Sequence, residues 1–503
     1  MNRNDLLDQV LLGIGLACLL PLSASAEVKL PNLISDHAVL QRGVPIPVWG
    51  WAQPGEKVTV SLHGKTKSTQ ADASGHWQVQ LDAESAGGPY EMTVAGTNSL
   101  TVKDLLIGDV WLASGQSNMA YGMKGNGVPP KGSTMPHTPE LIAAATVPML
   151  RLLKQPEHTA TRPEDDTLGK WTLCLPSTVP EFSAIGYFFG RDLSKVENVP
   201  IGIIDSAFSG SPAIAWVSAQ TLASDPVMQP LVAHWPSVAE THHEAPGPFA
   251  NRSVAPGVTR FQGGSMWNLS VIYNGMIAPL LHTPIKGAMW YQGESDSGPE
   301  QAPFYPQLLE TMIRDWRTNW HEDFPFFIVQ ISSFKANGPK AMWGFIRDSE
   351  RVAAQAVDKT ALVVTLDIGD PDDIHPPDKP DVALRLVAAA RGLAYGEKGV
   401  SSGPLFQSAK PQGAAMLVTF DHAAGLNAKG GNPKSFELAG ADGVFSPASA
   451  TLQGTDALVT SPQVPQPLYV RYGWSNATDA NLYNAAGLPA STFTTGPPPP
   501  LPK

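Results

Sequence analysis

The sequence predicts an α/β protein with a parallel sheet, flanked on both sides along the chain by short β-rich segments. Three observations lead there. Between about residues 101 and 400, apolar strand candidates at 109–113, 201–205, 285–291, 325–331 and 361–366 are separated by longer helical stretches, the alternation expected of parallel strands joined by crossover helices. Near the end of that stretch, Val382, Leu386, Val387, Ala390, Leu393 and Ala394 recur at three-and-four spacing, so residues 381–395 read as a helix with one face laid on the sheet. Outside it, short β-rich runs at 45–51, 57–62 and 77–81, and again at 415–420, 457–460 and 467–472, alternate with Gly, Pro and Asp turns.

The N-terminus comes first. Residues 11–20 form an apolar run ending in Pro21 and then Ala24, Ser25 and Ala26, a small-x-small pattern that reads as a secretory signal peptide over 1–26. Its leading part is weakly charged, Arg3 being offset by Asp5 and Asp8, which leaves a retained anchor as the alternative. The expected location is therefore exported, periplasmic or secreted. After cleavage Cys174 is the single cysteine, so neither an intramolecular disulfide nor a cysteine metal cluster can form. Residues 27–100 read as a β-sandwich segment, 101–400 as the α/β domain, 401–495 as a second β segment and 496–503 as a flexible Pro-rich tail.

Composition narrows the function. With 503 residues the chain has room for two or three domains and a full-sized core. A formal charge of -11, without clustered Lys and Arg, argues against nucleic acid as a partner. No later apolar run is long enough to span a bilayer, so integral membrane association is not expected.

Four strand ends hold the candidate chemistry. Gly108 to Met119 is an apolar strand running into Gly115, Gln116, Ser117 and Asn118. A strand-to-helix turn lifts a hydroxyl clear of the sheet edge, beside amides that can stabilise an oxyanion, which makes Ser117 the nucleophile candidate; a helix cap would also place a Ser there. Asp372, Asp373 and His375 follow another predicted strand. A Ser nucleophile needs a neutral imidazole to take its proton, and the imidazole needs an acid on its far nitrogen, so this segment could supply both; an acidic turn with an exposed His is the plainer reading. Metal binding by the same three residues is disfavoured, because consecutive carboxylates point different ways and no second His pair is present. Gly287 to Asp296 ends a third strand, where ligands of open α/β sheets bind. There Gln292 could aim an amide at the oxyanion, Glu294 could order the loop or contact sugar hydroxyls, and Trp290 and Tyr291 are expected in the core. Gly210, after the strand 201–205, could add a backbone N–H, although a Gly there also suits a plain turn.

These segments, in this order, resemble the sialate O-acetylesterase family, a branch of the SGNH hydrolases. The resemblance rests on Gly115 to Asn118, Trp290 to Glu294, and Asp373 to Pro376 followed by Lys379. It extends to Ser35 to Arg42, Pro47 to Trp51, Tyr273 to Pro279 and Asp315 to Arg317, and so covers most of residues 30–395. It implies a three-layer α/β/α, flavodoxin-like catalytic domain, an accessory β-sandwich assembled from the N- and C-terminal segments, and no cofactor. It implies hydrolysis of acetyl esters on a sugar, sialic acid first, through an acetyl-Ser117 intermediate. His375 is then the general base, and the N–H groups of Ser117 and Gly210 with the Gln292 side chain form the oxyanion hole. Gln116, Asn118 and Glu294 are the implied substrate contacts. The acid stays open: the general Asp-x-x-His spacing selects Asp372, the family block selects Asp373, and a Ser-His dyad is a third reading. Two departures stand out, Ser209-Gly210-Ser211 where relatives show Gly-Gly-Thr and Asp296 where Asn is usual. A negative charge at Asp296 beside the pocket would disfavour a carboxylate substrate, which leaves acetylated xylan or another plant polysaccharide as the alternative. A noncatalytic carbohydrate-binding protein on the same scaffold is the alternative of another class. A lipase fits poorly, since residues 122–132 are rich in Gly, Pro and Lys where an apolar lid is expected. Neither the hydroxyl attacked nor the oligomeric state is encoded in these motifs.

Overall fold

The computed structural model describes residues 27–125, 134–242, 264–335 and 341–502. The expected signal peptide at 1–26 and part of the 122–132 stretch lie outside these residues. The central sheet has seven strands: β1 (Ser99–Gly115), β2 (Leu150–Lys154), β3 (Trp171–Leu173), β4 (Ile201–Ala207), β5 (Gly287–Tyr291), β6 (Phe326–Val329) and β7 (Thr360–Val363). Their order across the sheet is β7-β6-β5-β1-β4-β2-β3, parallel except for the edge strand β3. Val110, Trp111, Leu112 and Ala113 of β1 are all fully buried, the mark of a strand covered on both faces.

Register identifies the two covering layers. Trp290 of β5 pairs with Ser114 of β1, three residues beyond Trp111, so the two indoles leave opposite faces of the sheet. Trp111 packs edge-on against Phe189 at 5.0 Å between ring centres, in the helix α2 (Ala184–Glu197) that follows the short α1 (Ser117–Ala120). On the other face, Trp290 packs against Trp316, at 5.7 Å, in α3 (Tyr305–Trp320), which lies against α4 (Trp343–Ala356). The expected amphipathic helix is α5 (Lys379–Leu393), capped by Asp378 and packed on α2. The result is the three-layer α/β/α arrangement.

Strand β1 serves two sheets. Its first half pairs with Gly87–Ala95 of the N-terminal β segment and its second half forms the centre of the parallel sheet. The apolar core is accordingly continuous from Val28 and Val58 through Trp111 to Leu386.

The C-terminal segment behaves differently. Leu405–Gln412, Ala415–Asp421, Asp456–Thr460, Ser446–Gln453, Phe436–Ala439, Tyr469–Tyr472 and Phe493–Thr494 form a separate seven-stranded antiparallel sheet, in that order, around its own core of Val418, Leu438, Val459, Val470 and Phe493. Among the described residues none of its strands pairs with the N-terminal segment. The expected sandwich shared by the two chain ends is therefore corrected: the N-terminal segment shares the sheet and core of the catalytic domain, and the C-terminal segment has a sheet and core of its own. The C-terminal β domain docks on the catalytic domain through buried Arg347 of α4. Its guanidinium donates to the carbonyls of Gly473 at 2.8 Å, Ser475 at 2.6 Å and Asn476 at 3.1 Å, and to Thr492 Oγ1 at 2.9 Å.

Candidate active site

The site forms where the C-terminal ends of β4, β1 and β5 meet. Gly115 closes β1 at φ +130°, and a Cβ there would lie 2.2 Å from the carbonyl oxygen of Tyr291, so only glycine lets the two strand ends approach. Cross-ties fix the neighbouring turns: the Gln116 N–H donates to the Tyr291 carbonyl at 2.9 Å, and the Phe208 N–H donates to the Gly115 carbonyl at 2.9 Å. Half-buried Ser117 opens α1, and its Oγ donates to His375 Nε2 at 2.8 Å. His375 arrives on the loop between β7 and α5, where its backbone N–H donates to Asp373 Oδ1 at 2.8 Å.

The two candidate acids part company. Asp372 points outward and pairs with Lys335 at 2.9 Å, with 73% of its side chain exposed. The expectation that Asp372 orients His375 is corrected, since the two aspartates of this hydrogen-bonded turn diverge and Asp372 pairs with Lys335 at the surface. Asp373 is the carboxylate that faces His375: it holds the loop by that backbone bond, and its charge favours the imidazolium. Burial outweighs it, and with the charge of Lys379 pulls His375 down to about 4, so the imidazole is unprotonated at neutral pH.

Two amides expected at the substrate are turned into the protein. Gln292 is fully buried; its Nε2 donates to the Ser211 carbonyl at 3.1 Å and to Asp296 Oδ2 at 2.5 Å, while its Oε1 accepts from Tyr305 Oη at 2.9 Å. Both amide hydrogens are engaged, so Gln292 as an oxyanion donor is corrected to a strut between strand ends. Asn118, also buried, donates to Glu294 Oε1 at 2.6 Å and to the Ile374 carbonyl at 3.0 Å, and accepts from Lys379 Nζ at 2.6 Å. With both amide hydrogens used and its oxygen held by Lys379, Asn118 is corrected from a substrate contact to a tie. Glu294 follows it, because one oxygen is held by Asn118 and Oε2 is sealed from solvent; burial raises its pKa. Gln116 differs: Oε1 accepts from the Ser295 N–H at 3.2 Å, and its amide nitrogen makes no hydrogen bond among the described residues.

Gly210 sits at φ +77° in a braced turn. The Ser209 N–H donates to Glu157 Oε1 at 2.8 Å, and Ser211 Oγ donates to the Phe208 carbonyl at 2.8 Å while accepting from Trp216 Nε1 at 2.9 Å. Among the described residues the N–H groups of Ser117 and Gly210 have no hydrogen-bond acceptor. Asp296 is not a charge on the pocket wall. It is 1% exposed, accepts from the Ala213 N–H at 2.9 Å and from Gln292, and is pushed up to about 6 by burial. The negative charge that the sequence sets beside the pocket is therefore held inside the scaffold by these two donors.

Lys379 was legible only as the end of a motif, and a Lys at the start of a helix is ordinarily solvent-exposed. Here it is fully buried, with its amine 4.8 Å from the ring centre of Tyr121 and 5.6 Å from that of Tyr291. Burial pulls it down to about 7 against the opposing charges of Glu294, Asp373 and Asp378.

A three-layer α/β/α fold with a hydrogen-bonded Ser–His pair at the carboxyl ends of its strands defines a carboxylic ester hydrolase of the SGNH type. Comparison with known proteins agrees. Residues 255–390 match the family described as carbohydrate esterase, sialic acid-specific acetylesterase. The sialate O-acetylesterase of Homo sapiens is 31% identical over 439 residues, covering 78% of this chain and 77% of that protein. That of Pongo abelii is 29% identical, with 96% of each covered. The crystal structure of a carbohydrate acetylesterase from Xanthomonas citri superposes with a TM-score of 0.80 at 38% identity, covering 93% of this chain and 99% of that one. The chain belongs to the sialate O-acetylesterase family.

Proposed function

We propose that this esterase removes O-acetyl groups from sialic acids through an acetyl-Ser117 intermediate. The observation that carries the reading is the 2.8 Å hydrogen bond from Ser117 Oγ to His375 Nε2 at the switch point of the sheet. Ser117 Oγ attacks the acetyl carbonyl while His375 Nε2 takes its proton. The N–H groups of Ser117 and Gly210 receive the oxyanion, and Asp373 supports the imidazolium. Collapse expels the sugar oxygen, which takes the proton from His375. Water then gives a proton to His375 and attacks the acetyl carbon; collapse breaks the bond to Ser117 Oγ, which takes that proton back from His375 as acetate leaves. Gln116 contacts the sugar with its amide nitrogen.

Sialic acid as the sugar is supported by the names of the relatives. The leader-like residues 1–26 support export, and among the described residues no helix is long and apolar enough to cross a membrane. Acetate release from O-acetylated sialic acid, acetylated xylan and a chromogenic acetate ester, each measured against Ser117→Ala, tests the reading. Release from sialic acid that Ser117→Ala abolishes is the expected result. Release from xylan alone would change the sugar, and none from any ester would favour a noncatalytic binding protein.

A further inference from the structure

We propose that buried Lys379 is a positioning residue for the Ser–His pair: its ammonium clamps Asn118, Asn118 ties the nucleophile turn to the histidine loop, and the clamp sets a positive charge behind that loop. The proposal rests on Ser117 and His375 being the reacting pair.

The geometry is a closed chain. Asn118 follows Ser117 in sequence and Ile374 precedes His375, so the 3.0 Å bond from Asn118 Nδ2 to the Ile374 carbonyl joins the residues flanking each end of the Ser–His bond. An amide can be turned over, and what fixes its sense here is the 2.6 Å bond from Lys379 Nζ to Asn118 Oδ1, with Glu294 Oε1 receiving the other amide hydrogen at 2.6 Å. Without the lysine, Asn118 Oδ1 would lose its donor, and rotation would set it against the Ile374 carbonyl, oxygen to oxygen. The Ser–His hydrogen bond would then lose the brace that lies directly behind it.

The second half of the role is electrostatic. Lys379 is faced by Glu294 from the turn after β5, by Asp373 and Asp378 from its own loop, and by the rings of Tyr121 and Tyr291. On His375 the ammonium opposes protonation and Asp373 favours it. A cation beside a general base keeps the imidazole free of protons at acid pH, so turnover persists where an ordinary histidine would already be charged. Removing the cation must raise the proton affinity of His375.

The test compares wild type, Lys379→Met and Asn118→Leu by kcat, KM and the acid limb of the kcat/KM profile on a chromogenic acetate ester, with thermal unfolding measured alongside. For Lys379→Met the expected result is a fall in kcat of about 100-fold, KM within about twofold of wild type, and an acid limb moved up by about one pH unit or more. Asn118→Leu keeps the charge and breaks the tie, so kcat should fall while the acid limb stays. A Lys379→Met enzyme with the wild-type acid limb, losing only stability or KM, would overturn the electrostatic role. Wild-type kcat in Asn118→Leu would overturn the tie, and that variant decides the tie even where Lys379→Met does not fold. Failure of the underlying reading is distinct, since it would appear as activity surviving in Ser117→Ala.

Discussion

Ser117 Oγ and His375 Nε2 lie 2.8 Å apart although 258 residues separate them, and the elements that close this gap are braced from behind by side chains that never reach the pocket. Gln292, Asn118, Asp296 and Lys379 are such side chains. Their burial produces consequences that can be measured.

The two neighbouring aspartates should separate cleanly. Asp373 faces His375, whereas Asp372 is held in solvent by Lys335. Asp373→Asn is expected to lower kcat by about 10- to 1000-fold, and Asp372→Asn to leave it within about twofold of wild type. Equal small losses in steady-state rates would point to a Ser–His dyad.

The pH profile follows from the same loop. Burial, with Lys379, pulls His375 down to about 4. The imidazole accepts the serine proton only when unprotonated, so kcat/KM should hold as pH is lowered from neutral and fall as pH drops through about 4. An acid limb near about 6.5, the ordinary value for histidine, would contradict this environment.

Asp296 makes a prediction about stability. Its folded pKa, about 6, lies above 3.8, the ordinary aspartate value that holds in an unfolded chain. A raised carboxyl pKa means the folded state binds the proton more tightly, so stability is fully present below the unfolded pKa and is lost as pH rises through the folded one. Asp296→Asn removes the charge while its Oδ1 can still accept from Ala213 and Gln292. The variant is expected to exceed wild type by about 1–3 kcal/mol at neutral pH, with the difference shrinking between about pH 6 and about pH 4. Chemical denaturation at the two pH values reads this directly.

Arg347 is the corresponding test of domain docking. Arg347→Met removes a buried donor from three carbonyls and the Thr492 hydroxyl; the Gly473 and Asn476 carbonyls keep Thr492 Oγ1 and the Phe334 N–H, and the Ser475 carbonyl keeps no other donor among the described residues. A loss above about 3 kcal/mol is expected, with faster proteolysis near residue 400, and Lys should not rescue it because one ammonium cannot reproduce the guanidinium fork.

Much of this was readable from local pattern, and the failures share a cause. Apolar runs located β4, β5, β6 and β7, and the three-and-four spacing at 381–395 located α5 to within two residues, because both signals are carried by adjacent positions. Leu150–Lys154 went unrecognised as a strand: four consecutive buried residues show neither alternation nor a helical stripe. The family resemblance implied one sandwich from the two β-rich chain ends, and nothing in their local pattern separates them, whereas pairing with β1 assigns the first to the catalytic core and leaves the second a domain of its own.

In the site, residue type revealed what a side chain can do but not whom it meets. Gln292 and Asn118 are amide donors beside the nucleophile, as a substrate contact would be. Only the long-range partners Asp296, Ile374 and Lys379 show those donors already engaged. Asp372 and Asp373 are each selected by a different sequence pattern, and only the partner Lys335 shows which one is drawn outward.

The most direct test of the central claim is peptide mass mapping of enzyme quenched during turnover of a chromogenic acetate ester, with acetate release followed in parallel for wild type and Ser117→Ala. The expected result is an acetyl group on the wild-type peptide containing Ser117, none in the variant, and a fall in acetate release of several orders of magnitude. Wild-type acetate release by folded Ser117→Ala would contradict it.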